Sequence, residues 1–216
     1  MLAVPSEKIS DDEDDQENQD EQRQVVLENP LNLIGRFHTA RVNGVKPLGT
    51  STQMVSISAD CTVAIWEITS GQQLSCLHMP VEPISLEVNK EGSVMFLGTA
   101  AGTFRIYDIT NRERPRLICQ LKFYEEEKPV STLIANEAGT LLMISSNQSE
   151  VFYVMSQRAD QSFDIFGQIK GNGYILSLNY YKKDGKDIAM AVLSNNLVEC
   201  YELPTSVYEN RLEPIP

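Results

Sequence analysis

Histidine and tryptophan are nearly missing from this chain of 216 residues, which has two histidines, His38 and His78, and one tryptophan, Trp66. A Ser–His–Asp or Cys–His hydrolase has to draw on one of those two histidines. The four cysteines, Cys61, Cys76, Cys119 and Cys200, form no C-x-x-C pair and have no histidine at zinc-finger spacing. That excludes the usual structural zinc patterns, so no metal site is expected. In a reducing compartment such cysteines behave as small apolar residues. G-x-S-x-G, H-E-x-x-H, G-x-x-x-x-G-K and G-x-G-x-x-G are all absent; Gly171-Asn172-Gly173 lacks a third glycine and reads as a turn. No apolar run approaches the ~20 residues that a bilayer demands. The start, Met1-Leu2-Ala3-Val4-Pro5, is too short for a signal core and runs into acids. The expectation is a cytoplasmic protein that is not an enzyme, with no cofactor, no small-molecule substrate and no membrane partner.

Basic residues are also scarce, 18 against 30 acids. Nucleic-acid binders need a basic footprint, so nucleic acid is not expected as a partner. The imbalance is local. Residues 1–22 hold nine acids against the single base Lys8, leaving residues 23–216 with 21 acids and 17 bases. The stretch from Asp11 to Gln22 has eight acids in twelve residues and nothing apolar, so it cannot bury surface to offset its ordering entropy. Residues 1–24 are therefore read as a disordered acidic leader, and residues 206–216 as a tail or linker.

What the body does have is a period. Val63-Ala64-Ile65-Trp66-Glu67-Ile68 is matched 41 residues on by Phe104-Arg105-Ile106-Tyr107-Asp108-Ile109. Val151-Phe152-Tyr153-Val154 and Val198-Glu199-Cys200-Tyr201-Glu202-Leu203 follow at steps of 47. Turn glycines Gly49, Gly92, Gly139 and Gly185 keep the same rhythm, at 43, 47 and 46. Each unit alternates apolar and polar residues in short runs bounded by Gly, Asn and Asp, as half-buried strands do. In the second unit the runs are 84–88, 93–97, 104–109 and 116–121. Four strands per unit at a period of ~40–45 residues is the pattern of a β-propeller blade. The fold class is all-β, with four blades at approximately 30–78, 79–123, 124–169 and 170–205, expected to form part of a larger propeller.

The first unit resembles the WD-repeat family. His38-Thr39-Ala40-Arg41-Val42-Asn43-Gly44-Val45 precedes Ser56-Ile57-Ser58-Ala59-Asp60-Cys61-Thr62-Val63-Ala64-Ile65-Trp66-Glu67. The second unit keeps Tyr107-Asp108 at the Trp-acid position; the third and fourth have Val154-Met155 and Tyr201-Glu202. The resemblance implies a structural tetrad of His38, Ser58, Asp60 and Trp66, with Asp60 accepting from His38, and His38 bonded through a Ser58 or Ser56 hydroxyl to Trp66. Ala101, Gln148 and Asn195 stand where Asp60 does, so the later units are expected to rely on apolar packing. The run from Leu31 to Thr39 and the acidic leader are similar to cilia- and flagella-associated WD-repeat proteins. That implies a scaffold subunit of an axonemal complex positioning dynein. The alternatives are an adaptor in a ubiquitin-ligase, chromatin or vesicle-coat complex, or a propeller hydrolase using His38 or His78. Candidate partner-binding residues are Arg41, the acidic cluster Glu125-Glu126-Glu127 and the aromatic pair Tyr180-Tyr181.

Overall fold

The structure is a computed structural model, and it describes residues 37–124, 128–136, 138–158 and 162–203. The leader, residues 25–36 and the segment after residue 203 lie outside them. All described elements are strands, arranged as four antiparallel sheets that succeed one another along the chain. Sheet 1 is β1 (Val42–Pro47), β2 (Gln53–Ser58), β3 (Thr62–Glu67) and β4 (Gln72–His78). Sheet 2 is β5 (Pro83–Val88), β6 (Val94–Thr99), β7 (Thr103–Asp108) and β8 (Arg116–Lys122). Sheet 3 is β9 (Thr132–Ala135), β10 (Leu141–Ser145), β11 (Val151–Gln157) and β12 (Phe163–Lys170). Sheet 4 has three strands among the described residues: β13 (Ile175–Lys183), β14 (Lys186–Leu193) and β15 (Val198–Leu203).

The chain forms meanders because every run is short, alternates in polarity and ends in a residue that tolerates a tight turn. Gly92 and Gly139 adopt φ of 70° and 69°, each donating its N–H to the carbonyl three residues back, Asn89 and Asn136. These two asparagines clamp their turns: Asn89 Oδ1 accepts from Ser93 N and Val94 N, both at 2.8 Å, and Asn136 Oδ1 from Thr140 N at 2.9 Å. Sheet 4 uses a two-residue hairpin instead, Asp184-Gly185, both at positive φ. Even the irregularities repeat. The third–fourth strand pairing shifts register at Ile65/Trp66, Ile106/Tyr107 and Val154/Met155. An extra residue there sharpens the right-handed twist.

The sheets stack through three apolar cores. Val55, Ile57, Val63 and Ile65 of sheet 1 meet Leu86, Met95, Leu97 and Tyr107 of sheet 2. Phe96, Phe104 and Ile106 of sheet 2 meet Leu142, Ile144 and Met155 of sheet 3. Met143, Phe152 and Val154 of sheet 3 meet Leu178, Ala191 and Tyr201 of sheet 4. Alternation puts one residue set of each strand into one core and the next set into the other. The first strands of the sheets meet in the series β1, β5, β9, β13, and no packing of comparable extent joins β13 to β1 among the described elements.

Candidate functional site

At one end of every sheet, the connection from the preceding sheet is tied to the turn between the second and third strands. Ala59 N donates to Arg41 O at 2.8 Å in sheet 1, and Ala100 N to Glu82 O at 2.9 Å in sheet 2. In sheet 3 Asn147 N donates to Ser131 Oγ at 2.7 Å, and in sheet 4 Ser194 N to Tyr174 O at 2.9 Å. These loops make one face of the molecule, and its order depends on what fills each turn.

In sheet 1 the turn is filled by Asp60. Its carboxylate accepts from Thr39 N at 2.8 Å, from Thr62 N at 3.0 Å and from Thr62 Oγ1 at 2.5 Å, and lies 3.2 Å from His38 Nδ1. His38 Nε2 is 2.7 Å from Ser56 Oγ, which receives the Trp66 indole N–H at 2.8 Å. An indole N–H only donates, so Ser56 accepts from Trp66 and its own hydroxyl proton serves His38 Nε2. His38 then carries its proton on Nδ1, facing the Asp60 carboxylate. The His38 and Asp60 side chains are each 9% exposed, and Ser56 and Trp66 are buried. Burial works against the charged form of Asp60, but the hydrogen bonds from Thr62, Thr39, Ser58 and His38 outweigh it and hold the carboxyl well below the usual range.

The serine of this chain is therefore Ser56, and the expected Ser58 is not in it. Strand alternation explains the difference. Ser56 pairs with Ala64 beside Trp66, whereas Ser58 ends β2 and turns to the loop, donating weakly to Ala40 O and accepting from Asp60 N at 3.2 Å.

The later sheets do not depend on apolar packing alone. Met79 lies 28 residues before Tyr107, as His38 does before Trp66, and the Tyr107 hydroxyl meets Met79 Sδ at 3.6 Å. In sheet 4, Asn195 occupies the Asp60 position; its Nδ2 donates to Asn172 O at 2.9 Å and its Oδ1 accepts from Leu197 N at 3.2 Å. Glu199 takes the Asn172 amide and the Tyr201 hydroxyl, and burial together with that carboxylate pushes the Tyr201 phenol up. The equal spacing of Met79 and His38 was the available signal; the Asn172–Glu199 pair left none.

The candidate partner-binding residues are not gathered at one place. Arg41 is exposed on the loop face, with Nε donating to Asn43 Oδ1 at 3.0 Å and Nη2 lying 3.6 Å from Glu82. Glu125, Glu126 and Glu127 lie outside the described residues. Tyr180 is half-buried against the core between sheets 3 and 4 and bonds Asp187, so it is not the exposed aromatic expected of it. Tyr181 is exposed, with its hydroxyl 3.9 Å from Cys200 Sγ. Sequence reasoning missed Tyr174 and Leu197, which stand on the loop face at about half exposure. Two clefts accompany these surfaces. One of about 270 Å³ is lined by Phe37, His38, Asp60, Thr62, Cys76 and His78. The other, about 350 Å³ between sheets 2 and 3, contains an Asp108–Arg116 pair already closed on itself at 3.1 Å. Among the described residues, no cluster of His, Cys, Asp and Glu is placed to hold a metal ion.

No protein-family model matches the chain, and no curated protein matches it. Solved structures do. U3-55K superposes with a TM-score of 0.67 at 13% identity, covering 83% of this chain and 53% of that one. The WD40 repeats of RRP9 give 0.66 at 13%, covering 83% and 52%, and the computationally designed Ika4 protein gives 0.62 at 15%, covering 77% and 94%. This chain thus spans about half the length of the first two. Four successive antiparallel sheets stacked through continuous cores, together with these neighbours, make the fold that of a WD-repeat β-propeller.

Proposed function

We propose that this chain is a non-catalytic scaffold that binds other proteins through the loop face carrying Arg41, Tyr174 and Leu197. The observation that carries this reading is the fate of His38, Asp60 and Ser56. They are the residues most like a hydrolytic triad, yet Ser56 is 3% exposed and its hydroxyl is committed to Trp66 and His38. A nucleophile in that position meets no substrate; the chain of bonds staples a loop to a sheet. The loop face, in contrast, offers exposed aromatic, aliphatic and cationic side chains on the connections that lead into β1, β13 and β15, the composition that protein interfaces favour.

The test is affinity capture with a double variant, Arg41→Glu with Tyr174→Ala, against Arg114→Glu on the opposite end of the sheets. The first loses its bound proteins and the second keeps them; the reverse pattern removes the loop-face reading. A hydrolase screen that found turnover dependent on His38 or His78 would remove the non-catalytic one.

The finer reading is an axonemal subunit that positions dynein. It is favoured by the run from Leu31 to Thr39 and by the acidic leader. Capture from ciliated cells is expected to enrich axonemal proteins. Recovery of ubiquitin-ligase, chromatin or coat components alone would keep the scaffold and discard the axoneme.

A further inference from the structure

Asparagine followed by glycine is the pair most prone to lose its side-chain amide, because glycine has no Cβ to keep its backbone nitrogen away from the preceding side chain. This chain has two such pairs, Asn43-Gly44 and Asn172-Gly173. The fold treats them differently.

Asn43-Gly44 lies inside β1, with Gly44 opposite Ile57 in the ladder to β2. The Asn43 amide is held from both ends. Its Oδ1 accepts from Arg41 Nε at 3.0 Å, and its Nδ2 donates to Glu82 Oε1 and to Pro83 O, both at 2.9 Å. Glu82 and Pro83 belong to the entry of sheet 2, so turning this amide toward the Gly44 nitrogen breaks bonds between two sheets.

Asn172-Gly173 lies outside the strands, on the connection from β12 to β13. Tyr174 O accepts from Ser194 N as Arg41 O accepts from Ala59 N, so this pair stands where Thr39-Ala40 stands before β1. Asn172 is exposed, and its side-chain amide is held by Glu199 alone among the described residues. The loop is tied through the residues on either side of Gly173. Asn172 O accepts from Asn195 Nδ2 at 2.9 Å, and Tyr174 N donates to Ser194 Oγ at 3.1 Å. The Gly173 N–H has no acceptor among the described residues.

We propose that Asn172 is a site of spontaneous deamidation, and that its conversion unties the loop face beside Tyr174. The Gly173 nitrogen loses its proton to solvent and attacks the side-chain carbonyl carbon of Asn172. A C–N bond forms, the bond to Nδ2 breaks and ammonia leaves, giving a five-membered succinimide. One water then opens the ring at either carbonyl, to aspartate or to isoaspartate. No oxidation or reduction occurs, and water is the co-reactant. The product replaces a donor to Glu199 with a second carboxylate facing it, and like charges at this range repel. In isoaspartate the main chain is also one carbon longer, which displaces Tyr174 from Ser194. The inference rests on the loop's own bonds and not on the scaffold reading.

The test is peptide mapping by mass spectrometry of the folded chain held at mildly alkaline pH, beside the same chain held in urea. In the folded chain the change from amide to acid is expected about tenfold faster at Asn172 than at Asn43, and in urea at like rates. Equal rates in the folded chain, or faster conversion at Asn43, overturn the proposal. A preference as large in urea also overturns it, because the flanking residues and not the fold would then set the site. Native-state hydrogen exchange tests the consequence. Asn172→Asp is expected to speed exchange of the Ser194 amide about tenfold, and Glu199→Gln in the same chain to restore it. A Ser194 amide that does not change, or that Glu199→Gln does not restore, overturns the untying of the loop by repulsion from Glu199.

Discussion

Each side chain around Trp66 has its hydrogen-bonding capacity used by the next, so the cost of removing one is set by what it strands. Ser56→Ala strands a buried indole N–H and the acceptor nitrogen of His38, and is expected to cost about 1–3 kcal/mol. Ser58→Ala removes the contacts with Asp60 but leaves the indole and His38 bonded, and is expected to cost less. Urea unfolding of the two variants side by side checks the order; equal costs would mean that the chain of bonds does not run through Ser56. Asp60 adds a pH dependence with a definite sign. Its folded carboxyl titrates below the unfolded value of about 3.9, so its stabilisation is complete above that pH and is lost as pH falls below it. The gap in melting temperature between the native chain and Asp60→Asn is therefore expected to be widest near neutrality and to narrow below about pH 4. Most of this site was legible in the sequence, because the resemblance of the first unit to the WD-repeat signature implied that His38, Asp60 and Trp66 come together. The serine was not, because Ser56 and Ser58 differ only in which side of β2 they face, and that depends on register rather than residue type.

Turns and close approaches set the strands' spacing, and glycine is where they are least forgiving. A Cβ on Gly92 would lie 2.6 Å from the Leu48 carbonyl carbon, and one on Gly98 would lie 2.6 Å from the Val130 carbonyl oxygen and closer still to Ser85 Oγ. Both contacts join one sheet to the next, so Gly92→Ala and Gly98→Ala must push sheets apart. Each is expected to cost more than about 1 kcal/mol, Gly92→Ala carrying the added strain of φ at +70°. Gly167→Ala, which meets nothing within 4 Å, is the control and is expected to be near neutral. Thermal melts of the three separate the cases. The glycine rhythm was a sound guide to the period but not to the turns. Gly92 and Gly139 share a place three residues after an asparagine, whereas Gly49 directly follows Leu48, and Ser51 closes that turn at 3.3 Å from Leu48 O. Gly185 belongs to a two-residue hairpin. The spacing alone does not separate these, since each solution turns the chain within the same few residues.

A molecule whose units touch only their neighbours has a stability profile, and here the ends and the middle differ. Sheets 2 and 3 are flanked on both sides, with Phe96, Phe104 and Phe163 packed between them at ring separations of 5.7 and 6.4 Å. Sheets 1 and 4 have one flanking core each, and β15 has no strand on its outer side among the described residues. The degenerate motifs of sheets 2 to 4 suggest by themselves that stability falls away after sheet 1. The packing orders it differently: middle sheets first, then sheet 1 with its buried bonds around Trp66, then sheet 4. Native-state hydrogen exchange reads this directly. Amides of β6 and β10 are expected to be the slowest, those of β2 intermediate, and those of β15 the fastest of the strand amides. If β2 outlasted β6 and β10, the local bonds of sheet 1 would outweigh two-sided burial, and the inter-sheet cores would not be the main source of order in this chain.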